Sequence, residues 1–359
     1  MGEIRSFFAL GVFAVLPVLI FAMLAAVGGP EPGLRPEESP MLQEGQRTPE
    51  PAAEALVPVE RPLPEAAEEG ASAGLDSQWS ISLLRAGVGE VLPLDAYLLG
   101  VLAAEMPASF QPEALKAQAV AARTDTFYRM EAQVHPGGAC CDDPACCKAY
   151  LSPEERKARW GEDWEENQEK LRRAVAETDG LVLTWQGEAI FAAFHAASPG
   201  STENSEDVWL SALPYLRSVE SPETAAEVPD FYASVSFSYS ELRRCLEGAY
   251  PELELGPEGA DWLTEPVYTR SGRLRSVCVG GRTLSGSELR RLLGLRSTAV
   301  SWSCSPEGVR FETAGYGHGV GMSQYGAEVM ARSGADCREI LEHYYSGVAL
   351  EQLSPPEAG

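Results

Sequence analysis

Residues 94–123 constrain the fold more than any other part of the chain, because two helices are predicted there on either side of one glutamate. Apolar side chains recur at helical spacing from Leu94 to Leu102, and Pro107 ends that helix soon afterwards. Glu105 follows Leu102 by three residues, so a helix places its carboxylate on the apolar face. A carboxyl group held against apolar surface has a raised pKa and can keep a proton near neutral pH, as a general acid must. The alternative is a glutamate at a helix end that points into solvent.

A second, alanine-rich helix is predicted to begin at Pro112, a residue suited to a first helical turn, and to reach Arg123. Its many alanines indicate close packing against neighbouring elements. Arg123 is a candidate either for pairing with a buried carboxylate or for holding a substrate group. Upstream, the segments Trp79–Leu84 and Gly87–Pro93 are typical of a β-hairpin that leads into the Glu105 helix.

The N-terminal part of the chain is predicted to lie outside the folded domain. Residues 7–27 form an uncharged apolar run long enough to span a bilayer, which favours a retained single-pass anchor over a cleaved signal peptide. Residues 28–77 are rich in Pro, Glu and Ala and are expected to form a disordered spacer. Because this spacer is acidic, the N-terminus is expected in the cytoplasm. We therefore expect one extracytoplasmic α+β domain, residues 78–350, followed by a tail, residues 351–359.

Acidic residues are in large excess, with 53 Asp and Glu against 28 Lys and Arg, which gives a formal net charge of −25. Nucleic acid is therefore not expected as a partner, because phosphate binding requires a basic face. Such a charge suits a soluble, self-repelling domain outside the cytoplasm.

Four cysteines and one histidine fall within residues 135–147, a loop rich in Gly and Pro. His135, Cys141 and Cys147 are evenly spaced and can surround one tetrahedral ion, for which sulfur and imidazole ligands favour zinc. Cys146, or else Cys140, supplies the fourth ligand. Disulfides are the alternative, since they are reasonable outside the cytoplasm. A catalytic rather than structural metal would keep one position open to water.

The remaining chain is predicted to alternate helices and strands. Charged residues dominate a surface helix at 151–178, a hairpin is expected at 181–195, and an insert at 220–300 carries helices near 240–247 and 285–293. Two cysteine pairs, Cys245 with Cys337 and Cys278 with Cys304, are candidate disulfides, although connectivity cannot be read from one sequence.

Two polar loops are candidates for ligand binding. One runs from His195 to Trp209, and the other, Gly315 to Gly326, contains five glycines, which let backbone approach a ligand closely. Because no Gly-Lys-Ser/Thr follows, the second is not a phosphate loop. The other interpretation of it is a tight crossover that packs under Glu105. The candidate side chains are Ser198, Thr202, His318, Gln324 and Tyr325.

Two long motifs carry a family resemblance. The segments Tyr97–Pro107 and Glu113–Thr124 resemble the hallmark of the stage II sporulation protein D family, and Gly315–Ala327 resembles a second hallmark. The resemblance covers roughly residues 80–350. Members are peptidoglycan lytic transglycosylases of endospore-forming bacteria, and amidase-enhancer proteins share the domain. By this resemblance Glu105 is the catalytic glutamate, and the Cys/His loop is similar to a structural zinc loop of some members.

The resemblance implies cleavage of the bond between N-acetylmuramic acid and N-acetylglucosamine without hydrolysis. One glutamate acts as acid and then as base, while the substrate's own 6-hydroxyl closes a 1,6-anhydro ring. Two-carboxylate hydrolysis stays open, because Glu203, Glu206 and Asp207 lie in a polar run that could reach the site.

The resemblance also implies a cellular setting. It is septal wall remodelling and engulfment during sporulation, at the mother-cell membrane facing the intermembrane space. The substrate would be glycan stripped of peptides by a partner amidase, stage II sporulation protein P, with protein M as a membrane partner. Two rival hypotheses remain: a non-catalytic glycan-binding amidase enhancer, and a zinc hydrolase that uses the Cys/His loop.

Overall fold

The computed structural model describes residues 74–356, apart from Ala86, Leu210 and Glu258. The predicted anchor, residues 7–27, and all but the end of the predicted spacer lie outside the described residues. Within the described part, no helix is both long enough and apolar enough to cross a bilayer. The fold already includes Asp76, upstream of the predicted start at Gln78, because its buried carboxylate pairs with Arg123.

The two predicted helices form the centre of the first hydrophobic core. Helix α1 is Leu94–Glu105 and helix α2 is Pro112–Glu131, with the proline in its first turn. Gly100 lets the following chain pack tightly on α1, since a Cβ there would lie 2.1 Å from the ring of Tyr150. Its carbonyl also accepts a hydrogen bond from the Leu151 amide at 3.1 Å. Residues 150–151 therefore pack directly on helix α1.

The predicted hairpin is confirmed, and the Cys/His loop is attached to it. Strand β1, Ser80–Arg85, pairs antiparallel with β2, Val88–Pro93. Strand β3, Cys140–Cys141, pairs parallel with β1, with Leu83 opposite Cys140. The sheet therefore brings the start of the cysteine cluster beside the first core.

The next segment contains more breaks than its sequence pattern indicates. The charged stretch forms two helices rather than one, α3 at Pro153–Trp160 and α4 at Trp164–Ala176. The hairpin is also interrupted: β4, Leu181–Trp185, pairs with a short β5, Glu188–Ala189, and β6, Phe194–His195, belongs to another sheet. Helix α5 is a single turn, Ser205–Val208.

The insert has a core of its own, which helices and two three-stranded antiparallel sheets enclose. One sheet has the order β10 (Arg282–Ser285), β9 (Leu274–Val279), β8 (Leu263–Tyr268), and the other has the order β11 (Val300–Ser305), β12 (Gly308–Ala314), β7 (Tyr232–Ser238). Both predicted helices are present, α6 and α7, each with a serine capping box. The elements are β7 Tyr232–Ser238, α6 Tyr239–Ala249, β8 Leu263–Tyr268, β9 Leu274–Val279, β10 Arg282–Ser285, α7 Gly286–Leu293, β11 Val300–Ser305 and β12 Gly308–Ala314.

The last elements return to the first core. Strand β13, Met322–Ser323, pairs parallel with β6, so the Gly-rich loop ends beside His195. Helices α8, Gln324–Arg332, and α9, Cys337–Tyr344, follow, and β14, Ala349–Gln352, pairs antiparallel with β4. The described domain is thus a mixed α+β fold, as predicted.

The two candidate disulfides are wrong. None of the eight cysteines, all of which the structure describes, is in a disulfide. Cys245 packs against the core of the insert and Cys337 against the first core. Cys278 lies on β9 and Cys304 on β11, which belong to different sheets.

Candidate active site

Glu105 is the last residue of α1, and its side chain is half-buried. Its Oε1 accepts a hydrogen bond from the Ala149 amide at 3.2 Å. Burial raises the pKa of Glu105 from 4.5 to about 7. The Ala149 amide, the Lys148 ammonium and Gln324 oppose that rise in pKa, whereas the charge of Asp125 adds to it. A carboxyl group with a pKa near 7 can give and take a proton at neutral pH.

A buried glutamine lies next to this carboxyl group, and a second buried glutamine contacts the first. Gln324, the first residue of α8, hydrogen bonds to Glu105 and also donates from Nε2 to Oε1 of Gln118 at 3.4 Å. Gln118 is fully buried in α2, and its own Nε2 has no partner among the described residues. Gln118 therefore supports Gln324 from inside the core, with its own donor left unpaired within the described part of the chain.

A chain of charged groups joins Glu105 to the Cys/His loop. The Lys148 ammonium lies 2.5 Å from Oδ2 of Asp125, and both side chains are buried. Arg129 Nε donates to the same oxygen at 2.7 Å, and its NH1 donates to the Cys146 carbonyl at 2.6 Å. Asp125 therefore holds the lysine that faces Glu105, and Arg129 ties that pair to the loop.

The Cys/His loop gathers one nitrogen and three sulfur ligands. The ligand atoms of His135, Cys141, Cys146 and Cys147 all lie within 4.8 Å of one another. Cys146 Sγ is 3.3 Å from Nε2 of His135. Hydrogen bonds from the other thiols lower the pKa of Cys147, which favours the thiolate that binds a metal. Three sulfurs and an imidazole suit a closed tetrahedral site, and the cluster contains Cys146 rather than Cys140.

A row of partly exposed aromatic rings leads away from Arg129. The guanidinium of Arg129 lies 5.4 Å from the centre of the Phe191 ring. Phe191 is 5.2 Å from Trp209, and Trp209 is 5.2 Å from His318, measured between ring centres. Tyr128 also stacks on Phe191, with 5.4 Å between the ring centres. We call Tyr128, Phe191, Trp209 and His318 the aromatic row.

His318 contributes to this row as a neutral ring. Its Nδ1 accepts a hydrogen bond from the Val320 amide at 3.1 Å. Burial, with the nearby charges of Arg290 and Arg273, lowers the pKa of His318 to about 3. A pKa this low keeps the ring of His318 uncharged at neutral pH.

Comparison with known proteins decides the family. Residues 85–185 match the family model described as stage II sporulation protein. Stage II sporulation protein D of Bacillus amyloliquefaciens is 39% identical over 267 residues, which are 73% of this chain and 75% of the relative. The protein of the same name from Bacillus subtilis is 38% identical over 267 residues, 73% of this chain and 76% of the relative.

The chain belongs to the stage II sporulation protein D family. The family resemblance of the two motifs is thereby confirmed, and with it a place among sporulation proteins. A more distant relative is the amidase enhancer of Bacillus subtilis, 29% identical over 312 residues, which are 70% of this chain and 40% of that protein.

The fold places one of the predicted ligand-binding residues, Gln324, directly beside Glu105. His318 lies in the aromatic row, and Tyr325 is mostly buried, with its ring edge-on to Phe110 at 5.0 Å. Arg123 is fully buried, and its Nε and NH2 bind Asp76 at 2.8 and 2.6 Å. Of the two roles predicted for Arg123, the structure shows the pairing with a buried carboxylate. The side chain has no exposed surface that a sugar could reach.

Ser198 and Thr202 are also fully buried, so neither hydroxyl can touch a ligand directly. Ser198 Oγ lies 2.6 Å from Nε2 of His195, and Thr202 Oγ1 accepts from the Val219 amide at 3.0 Å. Their contacts fix the shape of the 195–209 loop instead. His195 is buried in that network and also lies 3.2 Å, through its Nδ1, from the Val320 carbonyl.

The three candidates for a second carboxylate are engaged elsewhere. Glu203 is buried and accepts hydrogen bonds from Thr269 and Ser271. Glu206 pairs with Arg217 at 2.5 Å, and Asp207 lies 3.6 Å from Arg275. Among the described residues, no hydrogen bond or ion pair joins any of the three carboxylates to Glu105.

Sequence reasoning missed four polar residues that support the site: Gln118, Asp125, Lys148 and Glu223. Glu223 is buried and accepts from the Ser198 amide at 2.6 Å and from the Ser323 hydroxyl, so it joins the two polar loops. The available signal for Gln118 and Asp125 was a polar side chain inside an alanine-rich helix. Lys148 and Glu223 lie in loops, where sequence offers no such signal.

Proposed function

We propose that this chain is a lytic transglycosylase that cleaves the bond between N-acetylmuramic acid and N-acetylglucosamine in peptidoglycan. The observation that carries the proposal is the environment of Glu105, a half-buried carboxyl group whose pKa is raised to about 7. A single group of this kind can act as acid in one step and as base in the next. The engagement of Glu203, Glu206 and Asp207 elsewhere agrees with a mechanism that needs no second carboxylate.

In the first step, Glu105 gives its proton to the glycosidic oxygen as the bond from that oxygen to C1 of the muramic acid breaks. In the second step, the carboxylate takes the proton of the 6-hydroxyl of the same sugar while that oxygen bonds to C1. Glu105 regains its proton, and the product has a 1,6-anhydro end. The Lys148 ammonium stabilises the carboxylate between the two steps, since it lowers the pKa of Glu105.

Gln324 and the aromatic row supply groups that bind a sugar. Gln118 acts behind them, since its Oε1 accepts a hydrogen bond from Gln324 and so holds that amide in place. The partly exposed rings of Phe191 and Trp209 offer flat apolar surfaces to the faces of sugar rings. These groups orient the substrate, and Glu105 moves the proton.

A zinc ion fits the Cys/His cluster, where His135, Cys141, Cys146 and Cys147 would hold it. Four protein ligands leave no position for water, so the role proposed for the ion is structural. Bound zinc would supply coordination bonds that fix the loop. That loop continues directly into Lys148 and Ala149, which contact or face Glu105.

The setting of the reaction is also a proposal. Residues 7–27 would anchor the chain in the mother-cell membrane and residues 28–77 would extend the domain into the intermembrane space. There it would act on glycan during septal remodelling and engulfment, with the amidase stage II sporulation protein P and protein M as partners. Family membership and the apolar run in the sequence support this setting.

Mass spectrometry of products tests the reaction. Peptide-free glycan strands are incubated with the full-length chain, either wild type or Glu105→Gln. Anhydro ends from the wild type alone are the expected result. Reducing ends would mean hydrolysis and a second carboxylate, whereas equal products from both proteins would remove Glu105 from the mechanism.

A second candidate function is amidase enhancement without cleavage, which the similarity to a relative named amidase enhancer favours. The two functions differ in the role of Glu105. An enhancer should stimulate an amidase equally well as wild type and as Glu105→Gln, and it should release no anhydro ends. Loss of stimulation in the variant would instead tie the effect to cleavage.

A further inference from the structure

An open groove of about 720 Å³ lies on the insert, apart from the residues that surround Glu105. Its floor is the solvent-facing side of the β11-β12-β7 sheet. Ser301, Glu312 and Ser234 lie side by side across the three strands of that floor. The opposite side of the sheet, with Phe311 and Val235, packs on the core of the insert. The floor of the groove is thus polar, and the sheet that forms it is packed on the core of the insert.

Two tyrosines border this floor with unusual exposure. Tyr232, at the start of β7, is 72% exposed, and Tyr268, at the end of β8, is 43% exposed. The Tyr268 hydroxyl donates to the Val300 carbonyl at 3.2 Å, and the Tyr232 ring lies edge-on to Phe231 at 5.0 Å. The Tyr268 ring is therefore anchored through its hydroxyl, and the Tyr232 ring offers most of its surface to a ligand. Aromatic side chains of this kind lose little conformational entropy on binding.

The lining of the groove is close to neutral, although the chain has a net charge of −25. Its charged residues are Arg310 and Glu312, which pair with each other at 3.2 Å. The other lining residues are hydroxyl-bearing, small or aromatic. A peptide-free strand carries one lactyl carboxylate on each N-acetylmuramic acid, which the acidic chain as a whole would repel. The balanced charge of the groove removes that repulsion locally, and its hydroxyl groups and two aromatic faces are of the kind that bind sugar rings.

The groove adjoins the two loops that reach the candidate active site. Pro199 and Ala314 line it. Pro199 belongs to the loop that carries Trp209, and Ala314 directly precedes the Gly-rich loop that carries His318. The two loops are joined by hydrogen bonds between the backbones of Ala197 and Tyr316 at 3.0 and 2.8 Å.

We propose that this groove is a second carbohydrate-binding site, which holds part of an N-acetylated glycan strand at a distance from the bond cleaved at Glu105. The identity of the ligand rests on the proposed function. A strand that is held at two places dissociates less readily, because release from one site leaves the other engaged. The groove would therefore favour long strands over short fragments.

Calorimetric titration with chitotetraose, a neutral oligomer of N-acetylglucosamine, tests the proposal. The full-length chain is used in the Glu105→Gln form, so that binding is measured without cleavage. We expect two binding sites per chain, of which the double variant Tyr232→Ala/Tyr268→Ala loses one or weakens it about tenfold. Val91→Ala, a change at an exposed residue of β2, is the matched control and should bind as the parent does.

A second variant keeps the test independent of the tyrosines. Ser234→Trp places a large ring on the exposed floor of the groove and should remove the same binding site. Parent-like binding by both groove variants would overturn the proposal, as would the absence of a second site in the parent. Loss of anhydro products in the cleavage assay would refute the proposed reaction but leave this binding result unchanged.

A kinetic measurement adds a consequence for activity. With Glu105 intact, the tyrosine double variant should cleave a tetrasaccharide at the wild-type rate, while KM for long strands rises several-fold. An equal loss on both substrates would mean that the groove belongs to the catalytic cleft, and it would overturn a separate site.

Discussion

Replacing Glu105 by glutamine should stabilise the protein at neutral and alkaline pH. The folded protein holds the pKa of Glu105 at about 7, against 4.5 for an unperturbed glutamate. Each pKa unit corresponds to about 1.4 kcal/mol, so ionisation of Glu105 costs the folded state up to about 3 kcal/mol. Because the side chain is half-buried rather than fully enclosed, that figure is an upper bound.

The sign of the effect follows from which state binds the proton more tightly. Below pH 4.5 the carboxyl group is protonated in the folded and unfolded chains, and the variant should match the wild type in stability. As the pH rises from about 4.5 through 7, the unfolded chain loses its proton first, and wild-type stability falls relative to the variant. Above pH 7 the difference should reach its full value, with Glu105→Gln the more stable protein.

Urea denaturation at pH 4.5, 6 and 8 measures this difference. Glutamine keeps an oxygen for the Ala149 amide, so the change removes the charge with little loss of contact. Glu131→Gln, at the exposed end of α2, is the control and should show no such pH dependence. A difference that stays constant with pH, or that is largest at pH 4.5, would refute the buried environment assigned to Glu105.

Four further changes test other parts of the domain. Lys148→Met should raise the pKa of Glu105 and move the alkaline limb of the pH–rate profile to higher pH, because the positive charge that lowers this pKa is lost. Lys148→Arg keeps a positive charge and should leave the profile largely unchanged. Gln118→Ala should lower kcat about tenfold, because Gln324 loses the oxygen that holds it beside Glu105, and should cost about 1–3 kcal/mol in urea denaturation, because a fully buried side chain is truncated. Cys141→Ser should abolish stoichiometric zinc in elemental analysis and destabilise the domain by about 2–4 kcal/mol, and a full zinc content in this variant would exclude the cluster as its site. Asp76→Ala should cost about 3–5 kcal/mol in urea denaturation, because it leaves a buried guanidinium unpaired, and a loss under 1 kcal/mol would contradict that burial.

The elements near Glu105 could be predicted because local pattern decides them. The apolar repeat and flanking prolines of α1 and α2 act over one or two helical turns, and both helices begin at the expected residues. Helix α2 continues to Glu131, beyond the predicted end at Arg123. Interruptions of the pattern were harder to place. The hairpin after residue 181 breaks at Ala189, because Phe194 and His195 pair with β13, far along the sequence.

The site itself was only partly predictable, because burial depends on contacts between distant residues. Arg123, Ser198 and Thr202 lie in the segments that build the site, but each points into the fold and binds a protein group there. Lys148 reaches Glu105 only because α1 and the Cys/His loop meet in space. The wrong disulfide between Cys245 and Cys337 has the same origin, since nothing local tells which of two cores a cysteine joins.

Gly100 illustrates how a residue without chemistry can still control the reacting group. It lies in the middle of α1, where glycine is less favourable than alanine by about 1 kcal/mol. Even the methyl group of alanine would collide with the Tyr150 ring, directly after the amide of Ala149 that binds Glu105. Helix α1 therefore fixes both the carboxyl group and its hydrogen-bond donor to one rigid rod. The distance between the Glu105 carboxyl group and the Ala149 amide is therefore set by the packing on α1, before any substrate binds.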